Sequence, residues 1–176
     1  MNLQTITLVS FGYFEKEILE RTAEAVSEEY HCQVFIKDGH MDLSEFYDSA
    51  RRQYNGNSLL MQVNAMSFPE SEKSLGIFNV DLFVPILTFI FGQAFLCGQT
   101  GIASLYRLSN ERYGMAPDNK LLLCRFQKEV IHELGHTLGL IHCLEPTCVM
   151  RSSTYVEDID QKSEHLCRNC KSKLEI

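Results

Sequence analysis

Basic charge, long apolar runs and a leader-like start are all scarce in this 176-residue sequence. Lys and Arg number 16 against 23 Asp and Glu, a formal net charge of −7 at pH 7. Binding to a phosphate backbone draws its affinity from a basic face, so nucleic acid is not expected as a partner. The opening MNLQTITLVSF has neither the basic nor the long apolar part of a secretory signal, and the expected location is cytoplasmic. The most apolar stretch, Gly76–Gly98, contains Asn79, Asp81 and Gln93 and is interrupted by Pro85 and Gly92. Its run between Asp81 and Gln93 is shorter than the roughly 18 residues a spanning helix needs, so buried strands are expected there and no membrane partner. Repeats and low-complexity segments are also absent. At 45% hydrophobic and 22% charged, the chain is suited to one soluble domain that buries its core without disulfide staples.

Seven cysteines without a secretory signal do not make a disulfide framework. Cys32, Cys97 and Cys124 are scattered in apolar surroundings and are read as small buried hydrophobes. The other four, Cys143, Cys148, Cys167 and Cys170, fall within 28 residues at C-x4-C-x18-C-x2-C spacing. Two pairs so arranged suit a closed tetrahedral thiolate site for a structural metal.

The N-terminal third alternates strands and helices. Ile6–Phe11 is a strand, Glu15–Tyr30 a helix with Ile18, Leu19, Thr22, Val26 and Tyr30 on one stripe, and Val34–Ile36 a strand. Leu43, Phe46, Tyr47, Ala50 and Tyr54 recur at helical spacing between a possible Asp42/Glu45 capping box and an Asn55-Gly56 stop, predicting a second helix. Leu59–Val63 is then a third strand, and the alternation implies parallel pairing. Asn64–Gly76 is expected as a loop, and Ile77–Leu108 as tightly punctuated antiparallel additions to the sheet. After a polar turn over Ser109–Pro117, Asp118 or Asn119 caps a long helix that ends at Gly139. Gln161–Ile176 is expected as a short helix.

That long helix carries His132-Glu133-Leu134-Gly135-His136. Histidines four apart on a helix stand about 5–6 Å apart on one face, within reach of one tetrahedral metal ion. Glu133 is turned by about 100° from His132, a poor ligand position but one from which it reaches a water on the metal. His142 would lie roughly 15 Å along the axis and about 80° off the ligand face if the helix continued. Gly139 removes that obstacle, because glycine takes positive φ at little cost and turns the chain back.

The run HELGHTLGLIH resembles the metzincin zinc endopeptidases. The residues that follow, Cys143, Cys148, Val149-Met150 and Cys167-Arg-Asn-Cys170, narrow the resemblance to the archaemetzincin family. It covers Glu129–Lys171, about a quarter of the chain, and RRQYN and FGQAFLCGQTG are weaker matches upstream. The resemblance implies an α/β fold with a twisted, mostly parallel sheet, an antiparallel edge strand near Ile90–Leu96 above the cleft, and helices behind. It also implies a single domain over 1–176, with an N-terminal subdomain (1–139) and a small zinc-stapled C-terminal subdomain (140–176). His132, His136 and His142 would hold a catalytic Zn²⁺ ion, and Cys143, Cys148, Cys167 and Cys170 a structural one. Met150 would pack beneath the catalytic ion, and Glu133 would be the general base. Tyr155, five residues past Met150, lies farther along than the oxyanion-stabilising tyrosine of other metzincins.

The chemistry so implied is peptide hydrolysis by a monomer acting on a peptide or protein. Zinc activates a water and polarises the scissile carbonyl, and Glu133 relays the proton to the leaving amine. No propeptide or cysteine switch is expected. The alternative is a zinc-binding interaction protein with little turnover, for which Glu133 would have no use; a nucleic-acid zinc module fits the acidic balance less well.

Overall fold

A computed structural model describes residues 5–66, 68 and 72–176. The first four residues and part of the expected 64–76 loop (67 and 69–71) lie outside the described residues.

β1 (Thr5–Phe11) is buried from Ile6 to Phe11. A central strand of a parallel sheet is covered on both faces, which is why its sequence shows little polar alternation. Ile6 and Leu8 face one core and Val9 and Phe11 the other. α1 (Lys16–Tyr30) ends at His31, which has left-handed backbone. It leads into β2 (Gln33–Gly39), parallel to β1 with Thr5 opposite Gln33.

The next segment departs from its periodicity. Asp42 does cap a turn, accepting from the Ser44 N–H at 2.9 Å, but that turn is a 3-10 helix of four residues, Leu43–Phe46. Asp48 then accepts the backbone N–H groups of Ala50 (2.9 Å) and Arg51 (3.0 Å), taking donors that a continuing helix would need. A hairpin results, β3 (Tyr47–Asp48) against β4 (Gln53–Asn55), with Arg52 at φ 56° in its turn. Asn55 starts a helix instead of stopping one. Its side chain accepts from the Ser58 N–H at 3.2 Å and caps α2 (Gly56–Ala65). Leu59, Leu60 and Val63, expected as a strand, form the buried face of this helix. A five-residue apolar run fits either structure, and the cap decides between them.

The third parallel strand is β5 (Lys73–Phe78), which begins within the expected loop and pairs with β1. β6 (Leu82–Phe83), β7 (Gly92–Ala94) and β8 (Thr100–Ser104) follow. The main sheet has the order β2-β1-β5-β8-β7, parallel except for the antiparallel edge strand β7, and β3-β4-β6 form a second small sheet. Between β6 and β7 the expected buried strands give way to a turn. Leu87 N–H bonds Val84 O at 3.0 Å around Pro85, and Ile86 and Leu87 are 90% and 50% exposed.

α3 (Asn119–Thr137) is capped by Asp118, whose side chain accepts from the Leu121 N–H at 2.9 Å. It packs with α1 on one face of the sheet, while α2 covers the other. The short helix expected within Gln161–Ile176 is α5 (Arg168–Leu174), with Cys167 as its N-cap; a separate helix, α4 (Val156–Gln161), ends just before it, where Lys162 adopts extended backbone. The tail is tied back to α1 by buried Glu29. This carboxylate receives the Leu166 N–H (2.9 Å), His165 Nδ1 (2.8 Å) and Lys171 Nζ (3.1 Å). Among the described residues no helix is long and apolar enough to cross a membrane.

Candidate metal centres and cleft

The last turn of α3 closes as a Schellman motif. Leu140 N–H reaches Gly135 O at 2.9 Å and Gly139 N–H reaches His136 O at 3.0 Å, with Gly139 at φ +96°. The reversal carries His142 back beside the helix, its ring centroid 5.3 Å from that of His132 and 5.0 Å from that of His136. One ring nitrogen from each of the three histidines lies within 4.8 Å of the other two.

The hydrogen bonds fix which nitrogens are free. His132 Nδ1 lies 2.8 Å from Val149 O, and His136 Nδ1 lies 2.7 Å from Leu140 O. A carbonyl only accepts, so each Nδ1 carries the proton and each Nε2 presents a bare lone pair in the neutral ring. Burial holds all three imidazoles below their ordinary pKa, which favours that neutral form. The two Nε2 atoms stand 3.0 Å apart. Two lone pairs that close repel unless a cation lies between them, and three neutral imidazoles are a donor set that zinc favours. The residues fit such an ion.

A cleft of about 430 Å³ is lined by the three histidines together with the Leu87–Ala94 and Ser152–Tyr155 segments. Glu133 reaches into it from α3. Its Oε2 is buried and, among the described residues, finds no hydrogen-bond partner. Burial raises the Glu133 carboxyl well above its ordinary range, and the neighbouring Glu129 raises it further. Burial also raises Glu129, against the pull of the Lys162 ammonium. Lys162, itself buried, donates to Arg151 O at 2.9 Å. Sequence reasoning assigned no role to Glu129 or Lys162. Glu129 could have been found as the residue one turn before Glu133 on the same helix, whereas no spacing marks Lys162, which arrives from beyond the helix. Tyr155 lines the cleft and is 64% exposed.

Met150 lies fully buried against Gly135 of the histidine helix and explains the glycine inside the motif. A Cβ on Gly135 would press against Met150 Sδ and lie 3.0 Å from Met150 Cε. Met150 O accepts the Cys143 N–H at 2.9 Å, so the turn that supports His132 also holds the first cysteine.

The four cysteine sulfurs all lie within 4.8 Å of one another, with Cys143–Cys167 and Cys148–Cys170 both 3.8 Å apart. A disulfide would bring two sulfurs to about 2.05 Å. A zinc ion with four sulfurs at about 2.3 Å gives tetrahedral edges of about 3.8 Å, so this cluster too fits the ion. Glu145 N–H points at Cys143 Sγ (3.4 Å) and Cys167 N–H at Cys148 Sγ (3.3 Å), donors that suit thiolates. Burial pushes the Cys148 and Cys170 thiols up. At Cys167 burial pushes the same way, but hydrogen bonds from the Cys170 backbone and the neighbouring thiols outweigh it and bring the value to about 7. A bound cation reverses the burial penalty at the other two. Of the remaining cysteines, Cys32 is buried as expected, Cys124 is half-buried, and Cys97 is exposed at the turn beyond β7, contrary to expectation.

The whole chain, residues 1–176, matches the model of peptidase family M54. It is 43% identical to the archaemetzincin of Pyrococcus abyssi, over 97% of this chain and 94% of that one. The crystal structure of the archaemetzincin from Methanopyrus kandleri superposes with a TM-score of 0.86 at 35% identity, covering 98% of this chain and 94% of that one. A zinc-dependent peptidase from Methanocorpusculum labreanum also gives a TM-score of 0.86, at 28% identity and with 96% and 99% covered. With the family model spanning its full length and archaemetzincins matching in both sequence and structure, the chain belongs to peptidase family M54, the archaemetzincins, and is a zinc metallopeptidase.

Proposed function

We propose that the chain binds one zinc ion through His132, His136 and His142 and a second through Cys143, Cys148, Cys167 and Cys170, and hydrolyses peptide bonds at the first with Glu133 as general base. The observation that carries this reading is Glu133, whose side chain lines the same cleft as the histidines and whose buried Oε2 has no hydrogen-bond partner among the described residues. When bound among the histidines, zinc supplies a Lewis acid that polarises the scissile carbonyl and lowers the pKa of a water towards about 7. The residues of the chain do the rest. The edge strand β7 offers its free backbone groups to an extended peptide, which adds as a further strand and is aligned along the cleft. The Glu133 carboxylate accepts the proton of the attacking water and passes it to the departing amine nitrogen. The carbonyls of Val149 and Leu140 hold His132 and His136 in the ligating tautomer.

The substrate in this reading is a peptide or protein. All seven ligands and the base come from one chain, so the site needs no second copy. The division at Gly139, with an N-terminal subdomain over 1–139 and a C-terminal one over 140–176, puts the helix ligands in the first part and His142 with the cysteines in the second. The thiolate site favours a reducing compartment.

A peptide-library digest comparing the wild type with Glu133→Gln, each at measured zinc content, tests the mechanism. The amide keeps the size of the side chain but cannot take the proton, so turnover should fall by about 10²–10⁴-fold while zinc content and fold hold. Equal cleavage by both proteins would refute Glu133 as the base.

A further inference from the structure

The turn that leads into the cleft-lining segment 87–94 is built more firmly than an ordinary surface loop. Pro85 occupies the second position of the Val84–Leu87 turn, where its fixed φ is preorganised. Two side chains from the β3–β4 hairpin then clamp the next residues. Arg51 Nη2 donates to Leu87 O at 2.7 Å and to Thr88 O at 3.4 Å, and Gln53 Nε2 donates to Thr88 O at 2.9 Å. Arg51 Nε is held by Gln53 Oε1 at 3.2 Å, and its guanidinium lies 4.2 Å over the Phe83 ring. These contacts spend a guanidinium and a buried carboxamide on fixing a turn whose outward face is Ile86, 90% exposed, and Leu87, 50% exposed. Leu87 and Thr88 line the cleft itself, as does the exposed Tyr155.

Single exposed apolar residues need no explanation. Here two adjacent ones are presented by a rigid, clamped turn that is continuous with the cleft wall, in a chain of net charge −7 that repels acidic peptides. We propose that the Ile86–Leu87 turn is an apolar selectivity lip, that it favours peptides with a bulky apolar side chain beside the scissile bond, and that Arg51 and Gln53 are the positioning residues that hold it. The inference rests on the reading of the cleft as a peptide site. A hydrophobic pocket discriminates by about 10–200-fold for a single methylene, and the lip should reach the lower end of that range for a large apolar side chain against a small polar one.

The test separates binding from cleavage. Fluorescent octapeptides of Ser and Gly, with one Leu walked through each position, are titrated onto zinc-loaded Glu133→Gln and digested with the wild type. At one position Leu should bind at least about tenfold tighter than Ser. Ile86→Ser combined with Leu87→Ser, in the Glu133→Gln background, should bring that ratio to within about twofold; Ile86 is too exposed for its loss to disturb packing. Arg51→Met should collapse the ratio although both lip residues remain, and Arg51→Lys, which still donates to one carbonyl, should restore part of it. Zinc content and melting temperature are followed in every variant. A Leu preference in binding without wild-type cleavage would leave the lip standing and sink the hydrolytic reading. No detectable binding, no preferred position, or a preference that survives loss of both lip residues overturns the lip. A ratio unchanged in Arg51→Met overturns the positioning role.

Discussion

Gly135→Ala is a sharp test of how the metal ligands are supported. On helix propensity alone the change should stabilise, because alanine is favoured over glycine inside a helix by about 0.8–1 kcal/mol. The structure predicts the opposite sign. The added Cβ would press on Met150 Sδ and lie 3.0 Å from its Cε and 3.3 Å from Tyr30 Oη. Neither neighbour yields easily. Met150 is 0% exposed, and the Tyr30 hydroxyl is anchored to Ile131 O at 2.6 Å. Overpacking a filled core costs about 1–3 kcal/mol, which leaves a net loss of about 1 kcal/mol, or about 2–4 °C in melting temperature at this chain length. The larger effect should be on the histidine site. If Met150 shifts, the adjacent Val149 carbonyl shifts too, and it fixes the His132 tautomer at 2.8 Å. Loss of such support costs about 10–100-fold in metal affinity. Urea denaturation at fixed zinc gives the first quantity, and competition against a chelator in the Cys170-intact protein gives the second. Met150→Ala should cost about 2–5 kcal/mol alone, and the double variant should cost less than the sum by about 0.5–3 kcal/mol, since the new methyl group occupies the vacated space. A stabilised Gly135→Ala with unchanged zinc affinity, or a double variant that is simply additive, would refute the reasoning.

Three further outcomes are expected. Graded chelation of the loaded protein should empty the histidine site, with its open fourth position, before the closed thiolate site; elemental analysis showing the cysteine ion lost first would reverse the assignment. Cys170→Ser should lower the melting temperature by about 10 °C or more, the loss of ~3 kcal/mol or more of metal binding coupled to folding, and a wild-type melt would remove the structural role. Asp158 accepts the Tyr155 and Thr154 N–H groups, both at 2.8 Å, and these bonds lower its pKa. Its contribution is therefore complete above the unfolded value of about 3.9 and lost as pH falls through the lower folded value. Asp158→Ala should cost about 0.5–1 kcal/mol at pH 7, near the low end for caps because the group is solvated. The difference between variant and wild type should shrink as pH falls below about 3.9, and a difference that stays undiminished there would exclude the carboxylate as its source.

The parts of the fold legible in the sequence are those fixed by local pattern. β1, α1 and α3 are long or strongly periodic, and the two capping residues at their margins, Asp118 and Gly139, act as their chemistry predicts. Between residues 42 and 65 pattern and chemistry compete, and chemistry decides. The apolar positions from Leu43 to Tyr54 satisfy a helical count, yet Asp48 draws two backbone donors into a turn and the helix never extends. One displaced element carries the next with it, so Leu59–Val63 becomes the helix and the strand moves to Lys73–Phe78. The histidine and cysteine clusters are legible because most of their ligands pair at local spacing, His132 with His136, Cys143 with Cys148 and Cys167 with Cys170. Lys162 and the Arg51–Gln53 clamp were not, because each acts on a segment 11 to 37 residues away through contacts that no periodicity encodes.

The two clusters are also not independent. Val149 O receives the His132 proton, Val149 N–H donates to His165 O at 3.0 Å, and Met150 O receives the Cys143 N–H at 2.9 Å. Cys148 precedes this turn directly, and its sulfur receives the Cys167 N–H at 3.3 Å. A tetrahedral ion on the four sulfurs would therefore fix both ends of the turn whose carbonyl selects the tautomer of His132. Glu29 adds a second constraint, since it holds His165, Leu166 and Lys171 against α1 on either side of Cys167 and Cys170. The C-terminal segment is too polar to define its own core. It shares the main core instead, through Val149, Met150, Val156, Ile159, Leu166 and Leu174, and the Arg125–Asp160 pair, the sulfurs and Glu29 fix it there, one turn of backbone from His132.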